Sequence, residues 1–291
     1  MTTDVSRDDP MNAEAAGQES NYPPPMERHV TAHLELEVTA TIDMVLAIAV
    51  ADGVERVGET LEITCDGAML TTLPISAPHG ARLHQLRGVT PGHVIVDYRT
   101  TIVGSASPIL VAESEWYQYI RPSRYCESDQ LGPLARAEFA GLYDHELLAA
   151  VSSWVGANIS YVSGSSRPTD GAVNTLLARA GVCRDFAHLT VALLRANDVP
   201  ARVVSVYAPG LDPMDFHAVA EACVNDAWYV VDPTCLAPRQ SLVRIATGAD
   251  AADTAFLTVI NGFAAFRALW VTAVVDPVLP YDDVSQLVQL G

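Results

Sequence analysis

The sequence predicts an α+β protein, in which an N-terminal antiparallel β-sandwich precedes a domain of helices packed on an antiparallel sheet. Two observations support this fold class. Strand patterns follow one another through roughly the first hundred residues without a helical pattern between them, and helical spacing begins only near residue 134, before strands return. The 291 residues are enough for two domains.

The first segment, residues 1–28, is rich in acidic side chains and contains three consecutive prolines, Pro23 to Pro25. It lacks the basic start and apolar middle that characterise a secretory signal peptide. We therefore expect residues 1–28 to be a disordered acidic leader, and the protein to be cytoplasmic.

Residues 29–112 are predicted to form the sandwich. Residues 29–40 alternate strictly between apolar and polar side chains, which is typical of a half-buried strand. Further strands are expected at 45–51, 61–65 and 94–103. Asp66-Gly67, directly after the strand expected at 61–65, is a hairpin turn signal.

A linker is predicted at 113–132, followed by the second domain at 133–291. The spacing of Leu147, Leu148, Val151 and Val155 predicts a helix that ends near Gly156. A second helix is expected from Cys183 to Asn197. Strands are expected at 202–207, 217–224 and 227–231.

The composition disfavours several classes of partner. The chain has 35 acidic and 17 basic residues and a net charge of −18, so nucleic acid and anionic membranes would repel it. No apolar run approaches the ~18 residues of a membrane helix. The five cysteines are widely spaced and form no C-x-x-C pair, so we expect no disulfide framework, metal site or cofactor.

Cys183 is the first candidate for chemistry, because it is placed in the first turn of a predicted helix. The free N–H groups and the partial positive charge of a helix N-terminus stabilise a thiolate. The same N–H groups can bind an oxyanion that develops on a substrate. A buried structural cysteine is the alternative that this feature alone leaves open.

His217 and Asp232 strengthen the case for a reactive Cys183. If Asn225-Asp226 is a two-residue hairpin turn, Val224 pairs with Ala227, and His217 and Asp232 become diagonal neighbours on one face of the hairpin. A carboxylate in that position can hold an imidazole. Cysteine, histidine and aspartate would then act as nucleophile, base and orienting group.

Two stretches of sequence carry a family resemblance: GVCRDFAHLTVALLRANDVPARVVSVY and DFHAVAEACVNDAWYVVDPT. They resemble the core of the transglutaminase-like superfamily of cysteine acyl-transfer enzymes, especially bacterial members with an N-terminal β-domain. The resemblance covers about residues 29–285. It implies a papain-like or transglutaminase-like core, a peptide or protein substrate, Cys183 as nucleophile, His217 as general base and Asp232 as the third member.

The sequence leaves several alternatives open. Water as acyl acceptor would make the protein a peptidase or amidase, and an amine would make it a transglutaminase. An inactive protein-binding module on the same fold is a third possibility. Either Tyr161 or Trp154 could supply a second oxyanion donor, and the sequence does not indicate an oligomeric state.

Overall fold

The structure is a computed structural model that describes residues 26–291. The predicted disordered leader therefore lies outside the described residues except at its end, where Glu27 and Arg28 already belong to the first strand. The strands before the first α-helix are β1 (Glu27–Val38), β2 (Ile42–Leu46), β3 (Glu55–Cys65), β4 (Ala68–Met69), β5 (Leu73–Ser76), β6 (Arg82–Val89) and β7 (Gly92–Val103).

The remaining elements supply the helices and the second sheet. They are α1 (Glu113–Gln118), α2 (Ser128–Glu138), α3 (Asp144–Asn158), β8 (Ser160–Tyr161), α4 (Ala172–Ala178), β9 (Ala180–Gly181), α5 (Cys183–Arg195), β10 (Ala201–Tyr207), β11 (Phe216–Val224), β12 (Ala227–Val231), β13 (Val243–Gly248), β14 (Leu257–Ile260) and β15 (Ala264–Asp276). Short 3₁₀ turns occupy Pro78–Gly80 and Arg239–Ser241.

The N-terminal sandwich consists of two antiparallel sheets with strand orders β15-β1-β7-β3-β4 and β14-β2-β6-β5. The predicted alternation of buried and more exposed side chains along β1 is confirmed. Val30, Leu34 and Leu36 are buried in a core shared with residues of the opposite sheet. The predicted turn at Asp66-Gly67 is also present. Both of its residues have positive φ, and Cys65 pairs with Ala68 across it.

The predicted domain boundaries differ from the observed pairing. The sequence division gives residues 133–291 to one domain, whereas β14 pairs with β2 and β15 pairs along the whole of β1. Strands near the C-terminus thus complete both N-terminal sheets. The predicted linker at 113–132 is also incorrect in part, because it contains α1 and the start of α2.

Helix α5 is the centre of the second half, where it packs between helices α2, α3 and α4 and the sheet β12-β11-β10-β13. Its apolar side chains, such as Phe186 and Val191, are buried. Its polar side chains His188 and Arg195 are buried too. The helix is enclosed on all sides, which fixes the position of its first residue, Cys183.

Candidate active site

Cys183 is the first residue of α5 and its side chain is half-buried. The Asp185 carboxylate accepts a hydrogen bond from the Val182 N–H at 2.8 Å, which caps the helix. Position 181 must be glycine here, because a Cβ on Gly181 would lie 2.6 Å from the Asp185 Cβ. Local packing therefore holds the thiol at a helix N-terminus, as the sequence predicts.

The hairpin of β11 and β12 brings the other two predicted residues together. Its register is the predicted one, with Val224 opposite Ala227 and both turn residues, Asn225 and Asp226, at positive φ. Just past the end of the paired ladder, His217 Nε2 lies 2.9 Å from Asp232 Oδ2, and both side chains are buried. The predicted diagonal contact is present.

Thr234 holds Asp232 in this orientation. The Thr234 N–H and hydroxyl donate to Asp232 Oδ1 at 3.0 and 2.7 Å, while Oδ2 faces the imidazole of His217. Burial tends to raise the pKa of Asp232, but the His217 charge and these hydrogen bonds lower it. Asp232 is therefore ionised over the neutral range and fixes the ring of His217.

His217 presents its other nitrogen to the cleft. Within residues 26–291, Nδ1 of the buried ring has no hydrogen-bond partner of standard geometry. Burial tends to lower the pKa of His217, but Asp232 and the adjacent Cys183 raise it to about 10. With Nε2 directed at Asp232, Nδ1 is the atom available to exchange a proton with the thiol of Cys183.

Tyr161 lies beside Cys183, as one of the two predicted oxyanion donors. It is on β8, opposite Gly181 of β9, and its ring packs against Phe186 at 5.9 Å between centroids. Burial and the neighbouring Cys183 raise the pKa of Tyr161 to about 12. Its hydroxyl therefore keeps its proton and can donate it within the site.

Trp154, the other predicted donor, is used elsewhere. Its indole N–H donates to Glu138 at 3.0 Å, and its ring packs edge-on against Phe139 and under the guanidinium of Arg179. Neither Trp154 nor Tyr161 is among the residues that line the cavity in front of Cys183, but only Trp154 makes its contacts away from the thiol. The prediction for Trp154 is wrong, because helix α3 points this side chain toward α2 rather than toward the thiol.

A cavity of about 410 Å³ opens in front of Cys183 and His217. Its walls come from both halves of the chain, with Asp215 and Phe216 from the start of β11 and Phe256 and Leu269 from the region of β14 and β15. Sequence reasoning missed these four wall residues. Phe256 and Leu269 reach the cavity because β14 and β15 pair with the N-terminal sheets, and that pairing has no local signal in the sequence.

Two other groups of titratable residues lie apart from this cavity. His188 stacks on Tyr125 at 5.3 Å and accepts a hydrogen bond from the Ala251 N–H, so it is a structural histidine. Glu27, His29 and Asp276 bring three potential ligand atoms within 4.8 Å of one another, but none of them lines the cavity.

Comparison with known proteins connects this geometry to a family. Residues 139–233 match the family model of the transglutaminase-like superfamily. The chain contains a transglutaminase-like superfamily core. The matched range runs from the end of α2 to the residue after Asp232, so it includes Cys183, His217 and Asp232.

A solved structure from Cytophaga hutchinsonii, described as a "putative cysteine protease", resembles nearly the whole of this chain. The two are 29% identical with a TM-score of 0.82, over 91% of this chain and 96% of that one. The N-terminal sandwich is therefore part of the shared architecture, as predicted for the α+β fold.

Two uncharacterized mycobacterial proteins are also similar. One, from Mycobacterium tuberculosis, is 43% identical over 74 residues, which is 24% of each chain. The other, from Mycobacterium leprae, is 22% identical over 199 residues, or 65% of this chain and 71% of that protein. The match to the first of these spans about a quarter of its length. Among the described residues, no helix is both long and apolar enough to cross a membrane.

Proposed function

We propose that the protein is a cysteine-dependent acyl-transfer enzyme that acts on amide bonds of peptides or proteins. Cys183 is the nucleophile, His217 the general base and Asp232 the residue that orients it. One observation carries this proposal: Asp232 occupies one nitrogen of the buried His217 ring, and the other nitrogen lies beside Cys183 with no hydrogen-bond partner of standard geometry among residues 26–291.

The first half-reaction forms a thioester. His217 Nδ1 takes the proton of the Cys183 thiol, and the sulfur attacks the carbonyl carbon of the substrate. When the tetrahedral intermediate collapses, the C–N bond breaks and His217 returns the proton to the leaving amine. Asp232 remains ionised throughout and stabilises the imidazolium.

The oxyanion of the tetrahedral intermediate needs hydrogen-bond donors. The backbone N–H of Cys183 at the start of α5 is one, and the Tyr161 hydroxyl, which lies against Cys183, is the other. Tyr161 retains its proton at neutral pH, so it can donate when charge develops. Loss of one such donor typically costs about 10²–10³-fold in kcat.

Water is the acyl acceptor that we favour in the second half-reaction. His217 takes a proton from water, the hydroxide attacks the thioester, and the acid is released as the Cys183 thiol is restored. The support for hydrolysis is the full-length likeness to a protein described as a putative cysteine protease. An amine acceptor would make the same site a transglutaminase, and an inactive protein-binding module is the alternative of a different class.

Replacement of Cys183 by alanine tests the proposal. Turnover of a casein or amide substrate should disappear in Cys183→Ala while the far-ultraviolet dichroism stays unchanged. Cys235→Ala is the matched control, since Cys235 is exposed and does not line the cavity. Wild-type turnover by Cys183→Ala would refute the assignment, and a wild-type protein that never reacts with any acyl donor would favour the binding module.

A further inference from the structure

The cavity beside Cys183 has a wall made mostly of carbon. Phe216 precedes His217 on β11, while Phe256 and Leu257 begin the β14 region and Leu269 lies on β15. These four side chains are only partly buried, and all pack against the core of the N-terminal sandwich. They thus form a supported apolar surface that still faces the open cavity, as ligand-binding walls do.

The aromatic part of this wall extends to the protein surface. The rings of Phe216 and Phe256 stack with centroids 5.3 Å apart, and Phe256 meets Phe266 edge-on at 6.0 Å. Tyr207, which is buried, anchors the inner end against Phe216 at 5.5 Å. Phe266 is 47% exposed. A continuous aromatic ledge therefore leads from the residue before His217 out to solvent.

Arg184 and Asp215 both line the cavity, but their side chains are held in different ways. The Arg184 guanidinium donates to the Ser166 hydroxyl at 2.6 Å and to the Arg167 carbonyl at 2.8 Å, so its orientation is fixed toward that loop. Asp215 also lines the cavity, where its Oδ1 accepts from the Phe216 N–H at 2.7 Å. A carboxylate at this position repels an acidic side chain bound next to it.

We propose that the cleft selects acyl donors with a bulky apolar side chain, which lies on the ledge of Phe216, Phe256 and Leu269, and that it rejects acidic ones. This specificity rests on the proposed function, because it concerns the group that acylates Cys183. The occupant follows from position: whatever reacts with Cys183 must enter this cavity, whose wall beside His217 is formed by Phe216 and Phe256. Apolar contacts of this size discriminate between side chains by about 10–200-fold.

The test is a series of N-acetyl amino-acid p-nitrophenyl esters of Phe, Leu, Ala, Gln and Glu. These esters report acylation of the thiol directly through nitrophenolate release. The Phe and Leu esters should have kcat/KM about 50-fold above the Ala ester, within the range for apolar pockets. The Glu ester should be the slowest. A flat profile, or a preference for Ala, Gln or Glu that depends on Cys183, would overturn the specificity and leave the proposed function standing.

Two variants localise the effect. Phe256→Ala should reduce the Phe/Ala ratio of kcat/KM about tenfold, in line with the loss of part of an apolar pocket. Phe263→Ala is the matched control, because Phe263 is 67% exposed and does not line the cavity. An equal ratio in wild type and Phe256→Ala would overturn the ledge. If no ester acylates Cys183 in the wild type, the proposed function itself fails. The ester series with wild-type protein thus separates failure of the function, which gives no acylation, from failure of the specificity, which gives acylation without a preference for Phe and Leu.

Discussion

His217 Nε2 and Asp232 Oδ2 lie 2.9 Å apart on the two sides of one hairpin, beyond Ala220–Val231, the last residue pair of its ladder. The type of turn at Asn225-Asp226 sets the register, and the register sets this distance. A change of one residue in the turn would put the two side chains on opposite faces. The hairpin therefore positions the base of the proposed reaction.

Asp232→Asn should lower kcat by about 10²–10⁴-fold, because an amide still contacts the ring but selects the wrong tautomer. The pKa of His217 should fall from its raised value of about 10, since the Asp232 charge is a main cause of the increase. Steady-state kinetics and NMR titration of the ring measure both effects. Asp226→Asn makes the same change at the turn of the same hairpin and should be neutral; comparable activities for the two variants would show that Asp232 is only structural.

Cys183 should be alkylated by iodoacetamide below about pH 7 far faster than the other four cysteines, since a thiolate is the reactive form. Burial raises the pKa of each of the others, to about 12 for Cys126. Peptide mass spectrometry after a short pulse measures the selectivity. His217→Ala should abolish it, whereas Cys235→Ala should leave it intact. Equal labelling of all five cysteines would argue against an activated thiol.

Much of the site follows from local sequence. Strict alternation identifies β1, and Gly181, two residues before Cys183, marks the start of α5. The Asn225-Asp226 turn determines the pairing that joins His217 to Asp232. Each of these depends on residues close together in the chain. The choice between Tyr161 and Trp154 does not, because it depends on how β8 pairs with β9 and how α3 packs against α2.

The pairing of strands that are far apart in the chain could not be predicted from the sequence pattern. The apolar run at 268–275 identifies a strand, but nothing in it shows that β15 pairs with β1, more than two hundred residues earlier. The ledge residue Leu269 on β15 has no recognisable role until that pairing is known. Residue type indicates the chemistry at Cys183, while the topology alone reveals the wall opposite to it.

A buried ionic cluster between the two halves was also missed. Glu221 on β11 accepts hydrogen bonds from Arg202 at 2.9 Å and from Arg244 at 2.6 Å, and the Arg202 guanidinium lies 3.8 Å above the Trp228 ring. Arg202 contacts Glu115 of α1 as well, at 3.3 Å. Charged residues in a strand suggest exposure from sequence, whereas here they neutralise one another inside the protein.

Glu221→Gln should reduce the free energy of unfolding by about 3–5 kcal/mol, because it removes the buried carboxylate that Arg202 and Arg244 share and leaves Glu115 to face Arg202 alone. Glu62→Gln, at an exposed position of β3, is the control and should change it little. Denaturant unfolding measures both. Equal stability of the two variants would show that the cluster is not a net source of stability.

The same cluster predicts acid sensitivity. Burial tends to raise the pKa of Glu221, but Arg244 and Arg202 lower it to about 2 from an ordinary value of 4.5. A lowered pKa in the folded state means that the stabilisation is present above pH 4.5 and is lost as the pH falls toward 2. Unfolding followed across this window should show a steeper loss in the wild type than in Glu221→Gln. Parallel curves would contradict it.

The chain contains no lysine, so it offers no side-chain amine as an acyl acceptor. If the enzyme transfers acyl groups to amines, it should not form lysine-dependent multimers of itself, and labelling should require an added amine. Incubation of the pure protein alone, then with a fluorescent amine and casein, tests this on a reducing gel. Covalent ladders of the pure protein that survive reduction would contradict the prediction. New N-termini without amine uptake would support hydrolysis.

Capture of the acyl-enzyme shows directly whether Cys183 is the nucleophile. An N-acetyl-Phe p-nitrophenyl ester is mixed with the protein, quenched in acid within the first turnover and analysed by peptide mass spectrometry. We expect the mass of the acyl group on the peptide that contains Cys183, in the wild type and in Tyr161→Phe but not in Cys183→Ala. The added mass should be lost on treatment with hydroxylamine. An acyl group on any other residue, or full turnover by Cys183→Ala, would contradict it.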